Sequence, residues 1–275
     1  MATTTKAAPK KQGFKGVKNA IIIIIFAFIV AVLFYLFVLG NPANFTDETK
    51  EVVKNGNLLG TVYKGGFVVP IILGLLCTVI ALSVERWLGI KSCSGNGNVT
   101  KFVQNVKAAL QANDFSKAQQ LCDKQGGSIG NVVSASLKAY QEMEGATGMR
   151  KKEKIARIQQ AHEEATQLEM PTMTMNLPII ATIVTLGTLT ALFGTVLGMI
   201  RSFAALASDG GADSMALSTG ISEALVNTAS GIATSWFAVV SYNYFTNKID
   251  KLTFALDEIG YTIAQTYEVK HTDEA

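Results

Sequence analysis

The stretch AIIIIIFAFIVAVLFYLFVLG, Ala20 to Gly40, carries no charge and no helix breaker. A helix of about 20 mainly apolar residues is what crossing the hydrocarbon of a bilayer requires. The run is too long for a signal-peptide core and no small-residue cleavage site accompanies it, so it is expected to persist as a membrane span. Three further segments have the same character. The second, Gly66 to Trp87, closes on Glu85-Arg86-Trp87, a charged and aromatic border of the kind found where a helix leaves the hydrocarbon. A third covers Leu177 to Leu206 and a fourth Ala216 to Phe245, both long enough to project beyond a membrane. With 49% apolar and 16% charged residues, an ordinary soluble domain is excluded.

Lysine and arginine distribute unevenly between these spans. Five lysines (Lys6, Lys10, Lys11, Lys15, Lys18) precede the first span, twelve basic residues fall between Glu85 and Asn176, and three follow Phe245. The connection 41–65 holds three, the connection 207–215 none, and Arg201 lies inside the third span. Twenty of the 24 basic residues therefore share one side, which the positive-inside rule assigns to the cytoplasm. The expected order is a basic cytoplasmic tail (1–19), span one (20–40), a periplasmic loop (41–65), span two (66–87), a cytoplasmic helical region (88–176), span three (177–206), a short periplasmic loop (207–215), span four (216–245) and a cytoplasmic C-terminal helix or tail (246–275). The fold class is an all-α membrane protein of four transmembrane helices, the last two extending into the cytoplasm. The net charge of +3 reports topology, and no basic stripe interleaved with aromatics points to nucleic acid.

The polar region between spans two and three reads as helical. Asn98 is placed to cap a helix with Phe102, Val106 and Leu110 at fourfold spacing; further helices are expected over Phe115 to Gln125 and Val132 to Glu144. In RKKEKIARIQQAHEEATQLEM, Ile155, Ile158, Ala161, Ala165 and Leu168 form one apolar stripe, and Pro171 and Pro178 are expected to bend or break the path, with the residues before them pushed away from helix. His162 reads as solvated surface, since no second ligand stands at metal spacing, and His271 has still less claim to a metal. Cys77, Cys93 and Cys122 show no pairing motif and read as free thiols.

Within GISEALVNTASG, Gly220 to Gly231, the fourth span carries a single carboxylate, Glu223. A charge inside a bilayer costs a few kcal/mol on insertion scales, so such groups face protein or a water path. A glutamate near the span's end can also reach the interface. Here Glu223, Asn227, Ser230, Thr234 and Ser241 share one helical face, with Thr228 and Ser235 on its flank, and an interfacial acid alone would not require them. On the third span Thr188, Thr195 and Ser202 recur at heptad spacing, while Gly194 and Gly198 suit close helix approach. Two polar stripes on consecutive helices fit a narrow pathway shared between subunits, because two helices alone cannot enclose one.

FGTVLGMIRSF (Phe193 to Phe203) followed by GISEALVNTASGIATSWFAVVSYNYF (Gly220 to Phe245) resembles the two signature helices of the ExbB/TolQ/MotA proton-channel family, ExbB above the others. LPIIATI (Leu177 to Ile183) and DFSKAQQLC (Asp114 to Cys122) are similar too. The resemblance implies an inner-membrane ring, usually a homopentamer, around the helices of a small ExbD-like single-span partner whose aspartate carries the proton. Ion flow moves the partner and energises a TonB-like protein. The resemblance puts Thr195 and Thr228 at the family's pore threonines and Glu223 at its glutamate, with Thr188, Ser202, Asn227, Ser230 and Thr234 as further pore-lining candidates. No catalytic residue, metal or cofactor is implied. Many members have proline where this chain has Thr188 and Phe237, and its added oxygen ligands suit Na⁺ as well as a hydrated proton path. Four spans with both ends inside is the MotA plan, and a TolQ- or MotA-like stator for envelope maintenance or motility stays open beside ExbB-type import. A transporter would show repeats and midplane breaks, a passive scaffold leaves the aligned polar faces unexplained, and an enzyme lacks any G-x-S-x-G, P-loop or H-E-x-x-H motif.

Overall fold

The computed structural model describes residues 19–47, 50, 52–54, 56–208 and 214–271. The five lysines of the N-terminal tail and most of the loop 207–215 lie outside the described residues. The described chain is all-α, with helices α1 (Ala20–Phe34), α2 (Leu58–Tyr63), α3 (Val68–Ser94), α4 (Val99–Gln111), α5 (Phe115–Gln125), α6 (Gly127–Gly145), α7 (Lys151–Thr174), α8 (Leu177–Ser208) and α9 (Ser214–Lys270). Four of the described helices are long and apolar enough to cross a membrane. At a rise of about 1.5 Å per residue, the 32 residues of α8 and 57 of α9 both exceed a hydrocarbon core of about 30 Å. The chain divides into two compact units, one of Asn19–Glu85 and Asn176–Phe245, the other built among the described residues from 86–175 and 246–271.

The first unit holds the apolar helices. α1 buries only a narrow strip, Ala20, Ala27 and Ala31, and exposes Ile22, Phe26 and Leu33 around the rest, as a helix facing lipid should. Phe28 packs on Gly74 of α3, where a side chain would collide with its ring. The end of α1 widens over Tyr35–Leu39, and the carbonyls of Val38 and Leu39 accept from Asn44 Nδ2 at 2.8 and 3.0 Å, which satisfies groups the helix leaves open. Tyr35 stacks on Tyr63 with ring centres 4.7 Å apart.

α8 and α9 run antiparallel through a seam of small residues. A methyl group on Gly187 would lie 2.6 Å from Ser235 Oγ, one on Gly194 2.8 Å from Asn227, and one on Gly198 2.8 Å from the Gly220 carbonyl; Gly231 has no room for one against Ala191. Glycines seven and four residues apart on α8 and eleven apart on α9 let the backbones touch, which is how helices associate where lipid removes the usual hydrophobic drive.

The second unit is a helical bundle. Asn98 Oδ1 accepts from the N–H of Thr100 and Lys101, capping α4, and Asp114 caps α5 through the N–H of Lys117 at 2.8 Å. Tyr140 and Tyr267 meet edge to face, 5.0 Å between centres, and Lys270 Nζ donates to the Leu110 carbonyl at the end of α4 at 2.9 Å. Three expectations are corrected here. His162 is not solvated: it is 8% exposed, its Nδ1 lies 2.8 Å from Ser136 Oγ of α6, and Gly260 of α9 leaves room for the ring. The stripe of α7 is correspondingly rotated, with Ile158 and His162 inward and Leu168 81% exposed. Pro171 does not break α7, which continues to Thr174 because the proline sits in its last turn and buried Met173 holds that turn in place. The break falls at Asn176, with φ of 64°, and Pro178 occupies the first turn of α8, where its missing N–H has no partner to lose. Glu85 and Arg86, at the expected end of span two, are buried. Glu85 accepts from Asn176 Nδ2 at 3.2 Å, and Arg86 Nη1 donates to the Thr172 carbonyl at 3.4 Å.

Candidate functional site

The polar residues of α8 and α9 separate into two groups on different sides of the seam. The first is a ladder of hydroxyls. Thr195 Oγ1 and Thr228 Oγ1 are hydrogen-bonded to each other, and Thr188 Oγ1 meets Ser235 Oγ at 3.0 Å. The rungs are seven residues apart on each helix, close to two turns or about 10 Å. Each threonine also finds a backbone carbonyl: Thr195 that of Ala191 at 3.0 Å, Thr228 that of Ala224 at 3.1 Å. Thr188 is exposed in the protomer, and Thr195, Thr228 and Ser235 are half-buried.

The second group turns inward. Glu223, Asn227 and Thr234 share the buried side of α9. Glu223, five residues before Thr228, projects roughly 140° from it around the helix. Its carboxylate meets Arg201 of α8, whose Nη1 lies 2.7 Å from Oε1 and 2.9 Å from Oε2. The glutamate side chain is 8% exposed and the arginine 54%, so the pair runs from the protein interior to its surface. The Phe67 ring lies 5.9 Å from the guanidinium carbon, and Gly66, with φ of 73°, brings its backbone so close to Glu223 that a Cβ there would overlap Oε1. One turn along, Asn227 is fully buried between Gly65 and Gly194, and neither of its amide atoms has a hydrogen-bond partner among the described residues. A buried amide without partners costs roughly 1–3 kcal/mol per group.

The remaining candidates lie elsewhere on the two helices. Ser202 is buried and donates to the Gly198 carbonyl at 3.1 Å, and Thr234 donates to the Ser230 carbonyl at 2.9 Å. Ser230 itself is half-buried. The structure thus brings Thr195 and Thr228 together, adds Thr188 and Ser235 as a second rung, and sets Glu223 and Asn227 apart from both. Sequence reasoning missed Arg201 as the partner of Glu223. The signal was present: laying the small residues of the two helices against each other in antiparallel order puts Arg201 opposite Glu223. Among the described residues no cluster of His, Cys, Asp or Glu suited to a metal occurs, and Cys77, Cys93 and Cys122 form no disulfide.

Residues 128–258 match the MotA/TolQ/ExbB proton channel family, a membrane-protein family and not an enzyme class, which bears out the resemblance read from the signature helices. The Tol-Pal system protein TolQ of Pseudomonas aeruginosa is 25% identical over 229 residues, covering 79% of this chain and 94% of that protein. A putative biopolymer transport protein, ExbB-like 3, of Synechocystis sp. is 28% identical over 186 residues, 66% of this chain and 81% of the relative. The biopolymer transport protein ExbB of Pseudomonas putida is 31% identical over 136 residues, 49% and 40% of the two chains.

Proposed function

We infer, from the membership of residues 128–258 in the MotA/TolQ/ExbB proton channel family, that the chain is a subunit of an ion-driven motor in the bacterial inner membrane, with both termini cytoplasmic. Several copies, five in the reading we favour, surround the transmembrane helix of a small ExbD-like protein. Ion flow down the proton motive force moves that partner, and a TonB-like protein passes the work to uptake across the outer membrane.

The observation that carries this reading is the hydroxyl ladder. Thr188 stands exposed and Thr195, Thr228 and Ser235 half-exposed on helices apolar enough to span a bilayer. Although each of these hydroxyls is bonded within the chain, a row of oxygens on an otherwise apolar face suits contact with water or another chain better than contact with hydrocarbon. Thr195 and Thr228 line the path and Thr188 extends it. Glu223 stands beside it, and Ser202, Asn227, Ser230 and Thr234 fix the helices that carry it. A TolQ-type role in envelope maintenance is the second reading, favoured by the match that spans 94% of a Tol-Pal system protein.

Purification in mild detergent tests the assembly: a ring-sized oligomer is expected, and a homogeneous, fully stable monomer would count against it. Reconstitution with a small ExbD-like single-span protein, driven in turn by H⁺ and Na⁺ gradients, tests the coupling. Work under neither gradient overturns the motor reading.

A further inference from the structure

The deepest charge in the apolar half of α9 has an internal partner, and that partner decides what the glutamate does. Among the described residues, both hydrogen bonds accepted by the Glu223 carboxylate come from Arg201 Nη1, at 2.7 and 2.9 Å. The arginine is the one charged residue of α8, and Glu223 the one charged residue of α9 before Lys248. Neither charge is tolerable alone in such surroundings, and together they leave α8 and the part of α9 before Lys248 neutral. The pair also joins three elements. Arg201 sits seven residues before the end of α8, Glu223 nine residues into α9, and the Gly65–Gly66 turn that opens into α3 lies against the carboxylate with no room for a side chain.

Resting on the motor reading above, we propose that Arg201 and Glu223 act as one neutral unit that positions α8 and α9 on the turn before α3, with Glu223 as the counter-charge of Arg201 and not as a station for the transported ion. Geometry carries this. The carboxylate is engaged on both oxygens and is turned about 140° from the hydroxyl ladder, so an ion moving along Thr195 and Thr228 does not meet it. Arg201 is a positioning residue: what the chain needs from it is the partner it gives Glu223.

Four variants separate the roles: Arg201→Gln, Glu223→Gln, the double variant Arg201→Gln/Glu223→Gln, and Arg201→Lys. Removing one partner leaves the other charge unpaired, so each glutamine single variant should lose at least about tenfold in ion-driven work and melt at lower temperature. The double variant keeps size and hydrogen bonding without charge and should recover most of both. Arg201→Lys should recover part. A relay carboxylate would contribute its own ionisation to the pH profile of ion-driven work, so the profile of the double variant should overlay that of the unaltered protein. A double variant that is folded, assembled and as inactive as Glu223→Gln alone overturns the proposal, and so does a profile that loses a limb. Unaltered protein that does no work under either gradient overturns the motor reading instead, while the recovery of melting temperature in the double variant still reports on the pair.

Discussion

Thr195 and Thr228 share a hydrogen bond across α8 and α9, on helices whose seam of glycines holds the two backbones in contact. One hydroxyl donates to the other, and each also reaches a carbonyl of its surroundings, so the rung has a choice of proton arrangements within one fixed geometry. A path for an ion along these helices uses that freedom. Thr195→Val keeps the branched shape and removes the hydroxyl, so it tests hydrogen bonding more than packing. The expected outcome is loss of ion-driven work with normal membrane insertion and assembly, and stability within about 1 kcal/mol of the unaltered protein. Measurement is by gradient-driven activity beside a thermal melt; normal activity at normal expression removes the ladder from the path.

Gly66 and Gly56 form a matched pair of tests. Both have positive φ, 73° and 78°, but a methyl group at Gly56 meets nothing within 4 Å, whereas one at Gly66 overlaps the Glu223 carboxylate. Gly56→Ala therefore reports only the strain of a left-handed backbone, about 1 kcal/mol. Gly66→Ala adds displacement of the Arg201–Glu223 pair and should cost clearly more, with reduced ion-driven work. Equal melting-temperature losses in the two variants would mean that the carboxylate moves aside freely.

The number of spanning helices was legible in the sequence because hydrophobic length is a composition property, untouched by how helices pack. The heptad of Thr188, Thr195 and Ser202 also placed the ladder on α8. On α9, however, the sequence offers one broad polar arc, and only packing divides it: the seam through Gly220 and Gly231 turns Glu223 and Asn227 inward and leaves Thr228 and Ser235 outward. Arg201 was read as a topological exception for the same reason, since its meaning depends on the register between two helices. His162 was read as solvated because its neighbours in sequence are charged. It is Gly260, nearly a hundred residues later, that admits its ring into the bundle.

The proposed orientation rests on the basic residues and is open to direct labelling. Thr147 is exposed in the connection between α6 and α7, while the native thiols are buried at Cys93 and Cys122 and half-buried at Cys77. Thr147→Cys should thus give a low-background site. It should stay unlabelled by a membrane-impermeant maleimide in intact cells and react once the inner membrane is opened. Labelling from outside would reverse the assignment of both termini and of residues 88–176.

His162 makes the second unit sensitive to acid. Ser136 Oγ donates to the Val132 carbonyl at 2.9 Å, so its single proton is committed and the imidazole Nδ1–H donates to Ser136. Nε2 then carries a lone pair, buried beside Gly260 with no hydrogen-bond partner. Burial holds the imidazole below its usual value of about 6.5, opposed by the charges of Asp257 on α9 and Glu163 on α7. Above about pH 6.5 the ring is neutral both folded and unfolded, and it contributes no pH dependence. As pH falls through that value the unfolded chain takes up a proton that the folded bundle refuses, so stability declines on acidification, by at most about 1.4 kcal/mol per pH unit from this group, until the folded ring protonates too. The melting temperature of the detergent-solubilised protein should accordingly fall between neutral pH and pH 5.5. His162→Gln keeps a polar group for Ser136 and cannot ionise, so it should flatten that part of the curve whatever its effect on stability at pH 7.5. A curve with the same slope in the variant would assign the acid sensitivity to other groups.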